Sequence, residues 1–563
     1  MNLFFRQRAV IPRSEGIPNP SPEVERCPDM VGIARCAVPA RAERAERKVQ
    51  RFAQTHVHSA PGTARGQRSA PSLPASEFGS KCLIIFIILF LPLAGYAHIG
   101  SPNVFFEGPA GPYPIRVMIQ APVVVPGLAQ IHIRVHSGDA RVVTVLPVRW
   151  NIGTRGSPPP DAATPVPGET NLFTAQLWLM DSGAYSVFVD VSGPRGWGTA
   201  IVPLNSVALQ RIPMSRPMSF LFLGLGIFLV SLLVTVVGAA IRESVLPPGV
   251  EPTRSRRWFA RLAMLVTVII AGGLLFFGKQ WWDAVDKNFR YRRLYQPQAI
   301  TTALETGTNG QQQLTLKIAT GDRRDDATPL IPDHGQLMHL FLIRQPAGDT
   351  FVHLHPLRDF RNVFTTRLPG LPAGNYQLYA DITHESGFSQ TLTNVLRLTN
   401  ETVATNPVEG FASADDSMDL ASPQELSPAI LPDGFRLTPE FSTPFRLNQE
   451  ITLHFNLTTD TGAPASLEPY LGMYGHLIIQ HADGSVFTHL HPLGSISMAS
   501  QKRFAEREHA RYLANQSLDL LCSPASPALS FPYAFPKTGL YRLWLQTKLQ
   551  GQIRTVAYNV TVE

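Results

Sequence analysis

Two apolar runs divide this 563-residue chain and limit what it can fold into. Met218 to Ile241 (MSFLFLGLGIFLVSLLVTVVGAAI) and Leu262 to Gly278 (LAMLVTVIIAGGLLFFG) carry no ionisable side chain. About 20 apolar residues cross a bilayer as a helix, so residues 218–241 and 262–278 are expected as transmembrane helices. Arg242, Arg254, Arg256, Arg257 and Arg261 lie in the connecting segment 242–261. Short basic loops stay cytoplasmic, which places the regions before and after the hairpin together on the other side. Trp281 and Trp282 follow the second run, where amphipathic rings suit the membrane surface. Neither run contains a charge or polar relay of the kind that marks a transport path, so the hairpin reads as an anchor.

The net charge of +7 suggests nucleic acid only until it is located. Residues 1–81 hold 13 Lys/Arg against 7 Asp/Glu, leaving the remainder almost neutral, so no nucleic-acid partner is expected. Residues 1–80 lack apolar periodicity and read as a disordered leader or an over-extended start. Residues 81–97 (KCLIIFIILFLPLAGYA) have the charge, apolar run and small-residue exit of a signal peptide, with cleavage after Ala97 exposing His98. An uncleaved anchor behind a cytoplasmic tail is the alternative. Cys27, Cys36 and Cys82 precede that cleavage point, so Cys522 has no intramolecular disulfide partner after it. The expected setting is the inner (cytoplasmic) membrane, with residues 98–216 and 296–563 on the periplasmic side.

Both exported regions alternate apolar and polar residues between Pro/Gly/Asn/Asp clusters, as in AQIHIRVHS and ITLHFNLTTD, the pattern of short sandwich strands. A Gly-x-Tyr followed by alternation recurs at Gly183, Gly374 and Gly539. A tyrosine at the start of a late strand, tied back to an upstream turn, is a sandwich device. The fold class is therefore mostly β: three Ig-like or Greek-key sandwiches (98–216, 296–399 and 433–563) plus the two-helix hairpin. Residues 400–432 are polar and read as a linker between the last two.

A second repeat carries the chemistry. DTFVHLHPLRDF around His353 and SVFTHLHPLGS around His489 occupy the same point of the two later sandwiches. Each follows a strand containing another histidine, LMHLFLIR or GHLIIQ. In the second hairpin Asp483 and Gly484 read as a two-residue turn. Counting outward sets His476 opposite His491, and alternation puts His489 on the same face. In the first, a loop of Pro346, Ala347 and Gly348 sets His339 opposite His355, with His353 beside it. Two loops of different length thus preserve one three-histidine arrangement.

Imidazole ligates zinc, copper and nickel, and three rings on one rigid face leave positions open for a further ligand. For the first triad those candidates are Asp381 and His384, with Asp333 and His334 weaker. The second repeat has Gln546 and Leu549 at the positions of Asp381 and His384, so its divalent site is expected to be the weaker; Met473 or Met498 would favour Cu(I). Structural histidines, hydrogen-bonded within a polar patch, are the competing reading of both triads. His98 chelates copper if cleavage makes it N-terminal. His132 and His136 share a face but suit packing or exposure better.

The first exported region, AHIGSPNVFFEGPAGPYPIRVMIQAPVVV onward, resembles small copper-binding sandwiches of the CopC type. The later repeats, with FVHLHP…GNYQLYADITHESG and VFTHLHP…GLYRLWLQ, resemble FixH/YtkA-like domains of bacterial membrane proteins. That resemblance implies an extracytoplasmic role in metal handling or oxidase assembly, with a protein partner in metal transfer. The function expected is a membrane-anchored metal binder, copper before zinc, that buffers, senses or delivers the ion. An Ig-like protein-interaction module is the alternative. No nucleophile elbow, phosphate loop or paired-carboxylate signature is present, and no enzyme is expected. A copper oxygenase built on His98 is a third, minor reading.

Overall fold

The structure, a computed structural model, describes residues 103–563 except 248, 308–309, 321–324, 400–412, 442 and 509–527. The leader 1–80, the signal segment 81–97 and His98 lie outside the described residues.

The chain is mostly β, as the alternating segments require. In the first sandwich, strand Gly127–Val135 turns Ala129, Ile131, Ile133 and Val135 inward and the residues between them outward. Five strands, including Asn103–Ala110, Tyr113–Gln120 and Leu172–Leu179, face a four-stranded sheet built on Val142–Arg149, Gly183–Gly193 and Gly196–Ser206. The apolar positions of both sheets meet in one core.

Residues 300–398 form a second sandwich and 429–562 a third. In the second and third the Gly-x-Tyr tyrosine ties its hydroxyl to backbone four residues upstream: Tyr376 donates to the Pro372 carbonyl at 2.7 Å and Tyr541 to that of Lys537 at 2.9 Å.

Two helices separate the first sandwich from the second: α1 (Arg216–Glu243) and α2 (Arg254–Arg292). Both are long and apolar enough to cross a membrane. They run side by side, and at Gly238 a β-carbon would lie 2.6 Å from Met264 Sδ, so the missing side chain lets them approach. The basic segment expected as the loop 242–261 is shorter than that. Thr253 caps α2 by accepting the Arg256 amide, so Arg254 to Arg261 already form helical turns. At its other end α2 runs past Gly278 to Arg292, helped by the Lys279–Asp283 and Asp286–Arg290 pairs at i,i+4. The chain enters and leaves the hairpin at one point, where Ala208 bridges Leu294 and the Tyr295 amide donates to the Ala208 carbonyl at 2.8 Å.

Of the segment 400–432 read as a linker, residues 413–432 are described, and they join the flanking sheets. Ser417–Asp419 adds a strand beside Phe351–Leu354, and Gln424–Glu425 pairs in parallel with the last strand of the third sandwich. Polar composition hid this because edge strands need few apolar residues.

The second and third sandwiches do not hang apart. On strand Gly374–His384 the side chains of Tyr376, Leu378, Ala380 and Ile382 enter their own core, whereas Tyr379 and Asp381 point the other way. On Gly539–Leu549, Tyr541, Leu543 and Leu545 face inward, while Trp544 and Gln546 point outward. Those outward faces press together in a second apolar cluster of Phe341, Ile343, Phe351, Tyr379, Ile478, Phe487, Trp544 and Ala557. The contacts are reciprocal. Trp544 stacks on Phe351 with centroids 5.2 Å apart, and its counterpart Tyr379 stacks on Phe487 at 3.9 Å. The two repeats are thus related by a pseudo-two-fold axis, face to face.

Candidate metal centre

The hairpin registers follow from loop chemistry. Leu340 pairs with Leu354 and Phe341 with His353, so His339 stands at the level of His355. Leu477 pairs with Leu490 and Ile478 with His489, so His476 stands at the level of His491. Gly348 takes the left-handed conformation expected of it, at φ 69°. The second turn is wider than the two-residue form: the Gly484 amide donates to the His481 carbonyl at 2.8 Å, centring the turn on Ala482 and Asp483 without changing the register.

Because odd-numbered residues of the first hairpin and their counterparts in the second face the pseudo-two-fold, the two triads do not form separate surfaces. His339, His353 and His355 offer ligand nitrogens within 4.8 Å of one another, as do His476, His489 and His491. Across the interface, the His339 and His489 rings lie 5.5 Å apart and those of His353 and His489 6.0 Å. All but His489, which is only partly exposed, are buried.

Hydrogen-bond partners outside each triad fix where its protons sit. His339 Nε2 donates to the Asp333 carbonyl at 3.2 Å, leaving Nδ1 as a lone pair. His353 Nδ1 faces Gln546 Oε1 at 2.9 Å and the Tyr470 hydroxyl oxygen at 3.2 Å. Gln546 gives its amide protons to Ser417 and Thr555, and Tyr470 gives its own to the Asp415 carbonyl, so both present acceptors to His353. His353 Nδ1 therefore carries the proton and Nε2 the lone pair. His355 Nδ1 is held by the Asp416 carboxylate at 3.0 Å, and its Nε2 has no partner among the described residues. Three lone pairs converge, and His339 Nδ1 faces His353 Nε2 at 3.3 Å with no proton assigned between them.

The second triad repeats this. His476 Nε2 donates to the Tyr470 carbonyl at 2.9 Å, and His476 Nδ1 faces His489 Nε2 at 3.0 Å. His489 Nδ1 faces Asp381 Oδ2 at 3.5 Å. Neither ring nitrogen of His491 has a partner among the described residues. Buried polar atoms without partners are costly, and a cation satisfies several convergent imidazole lone pairs together. Outer partners that hold the far ring nitrogen, as Asp416 holds His355, are what metal-ligating histidines carry.

Burial keeps the rings neutral. It pushes His339, His353, His489 and His491 well below the usual histidine range and His476 down to about 3, with the neighbouring rings adding to the effect in each case. An unfolded histidine titrates near 6.5. The unfolded chain thus binds more protons between that pH and the depressed folded values, so metal-free stability falls as pH drops below about 6.5. Asp381, raised to about 7 by burial, and Asp419, also raised by burial, act in the opposite sense, but the lowered histidines, with His384 among them, outnumber them. Chelated protein is expected to melt at a lower temperature at pH 5 than at pH 7.5. An unchanged melting temperature would mean the rings are not buried in solution.

The ligand sets differ from sequence expectation in three ways. Asp381 lies beside His339 on the ladder, yet its carboxylate faces His489 of the other repeat, just as Gln546 faces His353. Each Gly-x-Tyr strand serves the opposite triad, so the reasoning that made the second site weaker does not hold. His384 sits outside the cluster: three residues beyond Asp381, it has the other parity, and its ring bonds the Thr328 carbonyl at 2.9 Å and the Gln390 side chain at 3.0 Å. His334 lies beside His491, at 4.5 Å between centroids, rather than completing the first triad alone. His136 is engaged by Glu107 at 2.7 Å, and Met498 begins helix α3 (Met498–Arg507).

Asp416 and Tyr470 were missed. Asp416 falls in the segment read as linker, and only its short reach to His355 reveals it. Tyr470 had a signal in the alignment of the repeats: Asp333-His334-Gly335 and Tyr470-Leu471-Gly472 precede the first histidine of each triad by the same count. His334 and Leu471 both take φ 51°, and the following glycines 82° and 76°.

A family model described as a domain of unknown function (DUF8832) matches residues 298–399 and 430–563. Its two segments coincide with the two histidine repeats. No curated protein matches the chain. Solved structures similar to it include an ICAM-5 D1–D4 ectodomain fragment, at 11% identity and TM-score 0.14, covering 80% of this chain and 77% of that one. Latent PorU from Porphyromonas gingivalis shows 8% identity and TM-score 0.13, over 82% of this chain and 34% of its own. Activated alpha-2-macroglobulin from Escherichia coli shows 9% identity and TM-score 0.15, over 82% and 31%. This chain spans about a third of the latter two, and likenesses at that level carry no functional argument.

Proposed function

We propose that this chain is a membrane-anchored metal-binding protein whose ions sit between the two histidine repeats. The observation that supports it is the convergence of imidazole nitrogens from His339, His353 and His355 and from His476, His489 and His491, with the ring protons of His339, His353, His355 and His476 engaged elsewhere. All-imidazole ligation with carboxylate and amide outer partners suits copper, with zinc as the alternative. The role is to buffer, sense or hand on the ion to a protein partner. The likeness of the repeats to FixH/YtkA-like domains favours the same reading. Helices α1 and α2 anchor the sandwiches, which lie on the periplasmic side of the inner membrane with the Arg-rich connection inside.

Full-length protein in detergent, stripped with chelator and titrated with Cu(II) or Zn(II), is expected to bind two equivalents at micromolar affinity or better. Absence of binding would make the histidines structural and return the repeats to an interaction role. Reporters inserted at Gly249 and fused after Glu563 are expected to report opposite sides of the membrane. The same side for both would overturn the topology.

A further inference from the structure

Beyond two separate triads, the seven clustered imidazoles are asymmetric in a way that the repeat does not explain. Resting on the metal-binding reading, we propose that they form one two-ion centre spanning the repeat interface, whose second half takes an additional nitrogen from His334.

Three observations carry this. The triads are separated by no more than a ring-to-ring contact: His339 lies 5.5 Å from His489 and 6.1 Å from His334, centroid to centroid. Ions held by the two sets of lone pairs are therefore neighbours. Second, His334 Nε2 is buried with no hydrogen bond among the described residues, the Asp333 carboxylate standing 3.9 Å from it, and its ring stands 4.5 Å from His491 and 5.6 Å from His476. His491 is itself the ring with two unpartnered nitrogens. The least satisfied imidazoles of the cluster are thus adjacent. Third, the matching position of the other repeat is Leu471, in the same left-handed conformation. The backbone at this point does not demand histidine, so the pseudo-two-fold gives no architectural reason for it.

The consequence is two unequal halves. The first is a three-imidazole set, with Asp416 behind His355 and Gln546 behind His353. In the second, His334 stands beside His491 and His476 as the further imidazole we propose, and Asp381 lies behind His489. A four-nitrogen set closes the coordination of a tetrahedral ion, whereas three protein ligands leave a position open. The second half would then retain its ion and the first would exchange it.

The test is electron paramagnetic resonance of the full-length protein in detergent, loaded with one and then two equivalents of Cu(II), beside His334→Leu and the double variant His353→Ala/His355→Ala. Leucine at 334 copies the residue already present at 471, so the backbone is preserved. One equivalent in the parent is expected to give an isolated Cu(II) signal. The second is expected to broaden it through dipolar coupling or remove intensity through exchange. His334→Leu is expected to weaken the tighter ion at least tenfold and leave the other unchanged. The double variant should hold one ion with an isolated signal. Superimposed isolated spectra at full loading would overturn the single centre. Unchanged affinities in His334→Leu would remove His334 from the ligands. Failure of the parent to bind any ion is a different result, which rejects the metal reading itself.

Discussion

Replacing His491 with leucine is expected to leave the metal-free protein at least as stable as the parent, while removing much of the stabilisation that metal confers. Both nitrogens of His491 are buried and without partners among the described residues. A buried unsatisfied polar group costs about 1–3 kcal/mol, and replacing it by an apolar group of similar shape is neutral or stabilising. Any gain is offset in part by imperfect packing, so the expected range in the presence of chelator runs from no change to about 2 kcal/mol more stable. With metal the sign reverses. Each ion bound only by the folded state stabilises it by about 4 kcal/mol at a thousandfold excess over Kd, and His491→Leu removes one of three ligands from the second triad. Thermal melts of parent and variant, each with chelator and with Zn(II), supply the four numbers needed. Marked destabilisation of the metal-free variant would instead identify His491 as a structural residue.

Phe341→Ala is expected to cost about 3–5 kcal/mol and to weaken both ion sites together, because a buried phenylalanine loses its transfer energy and leaves a cavity. Phe341 is fully buried at the pseudo-two-fold. Its ring stacks 4.3 Å from His353 of its own hairpin and stands 5.1 Å from His489 of the other. It also lies 5.4 Å from Phe487. One side chain thus spaces both triads, and truncating it lets the two sheets close or slide. Metal titration of the variant should show both affinities reduced. Loss of one ion with the other untouched would mean that the repeats bind independently of their shared interface.

How much of this was legible in the sequence depends on the kind of information each feature needs. The triads were legible because turn chemistry and strand alternation are local: Gly348 fixes the first register, the second is the same whether counted from Asp483-Gly484 or from the wider turn found, and period two fixes the faces. Tyr376 and Tyr541 were legible for the same reason. That the two histidine faces meet was not. Tyr379 and Trp544 sit on strand faces that a lone sandwich would expose, and large aromatics there are the trace of a second packed layer. Once the sheets meet face to face, Asp381 and Gln546 must cross to the opposite triad, and a count along one repeat assigns them to the wrong partner. His384 was misplaced by parity alone. Asp416 depends on Ser417–Asp419 adding a strand beside the first hairpin, a long-range pairing that polar composition does not announce.

The central claim is that cations sit among these imidazoles, and anomalous scattering from crystals of the full-length protein grown with zinc or copper tests it most directly. The account predicts peaks at the metal edge between the two facing sheets, one bounded by His339 Nδ1, His353 Nε2 and His355 Nε2, the other by His476 Nδ1, His489 Nε2 and a nitrogen of His491. Rings in the same orientation with no anomalous density between them, from protein shown to be free of chelator, would contradict it.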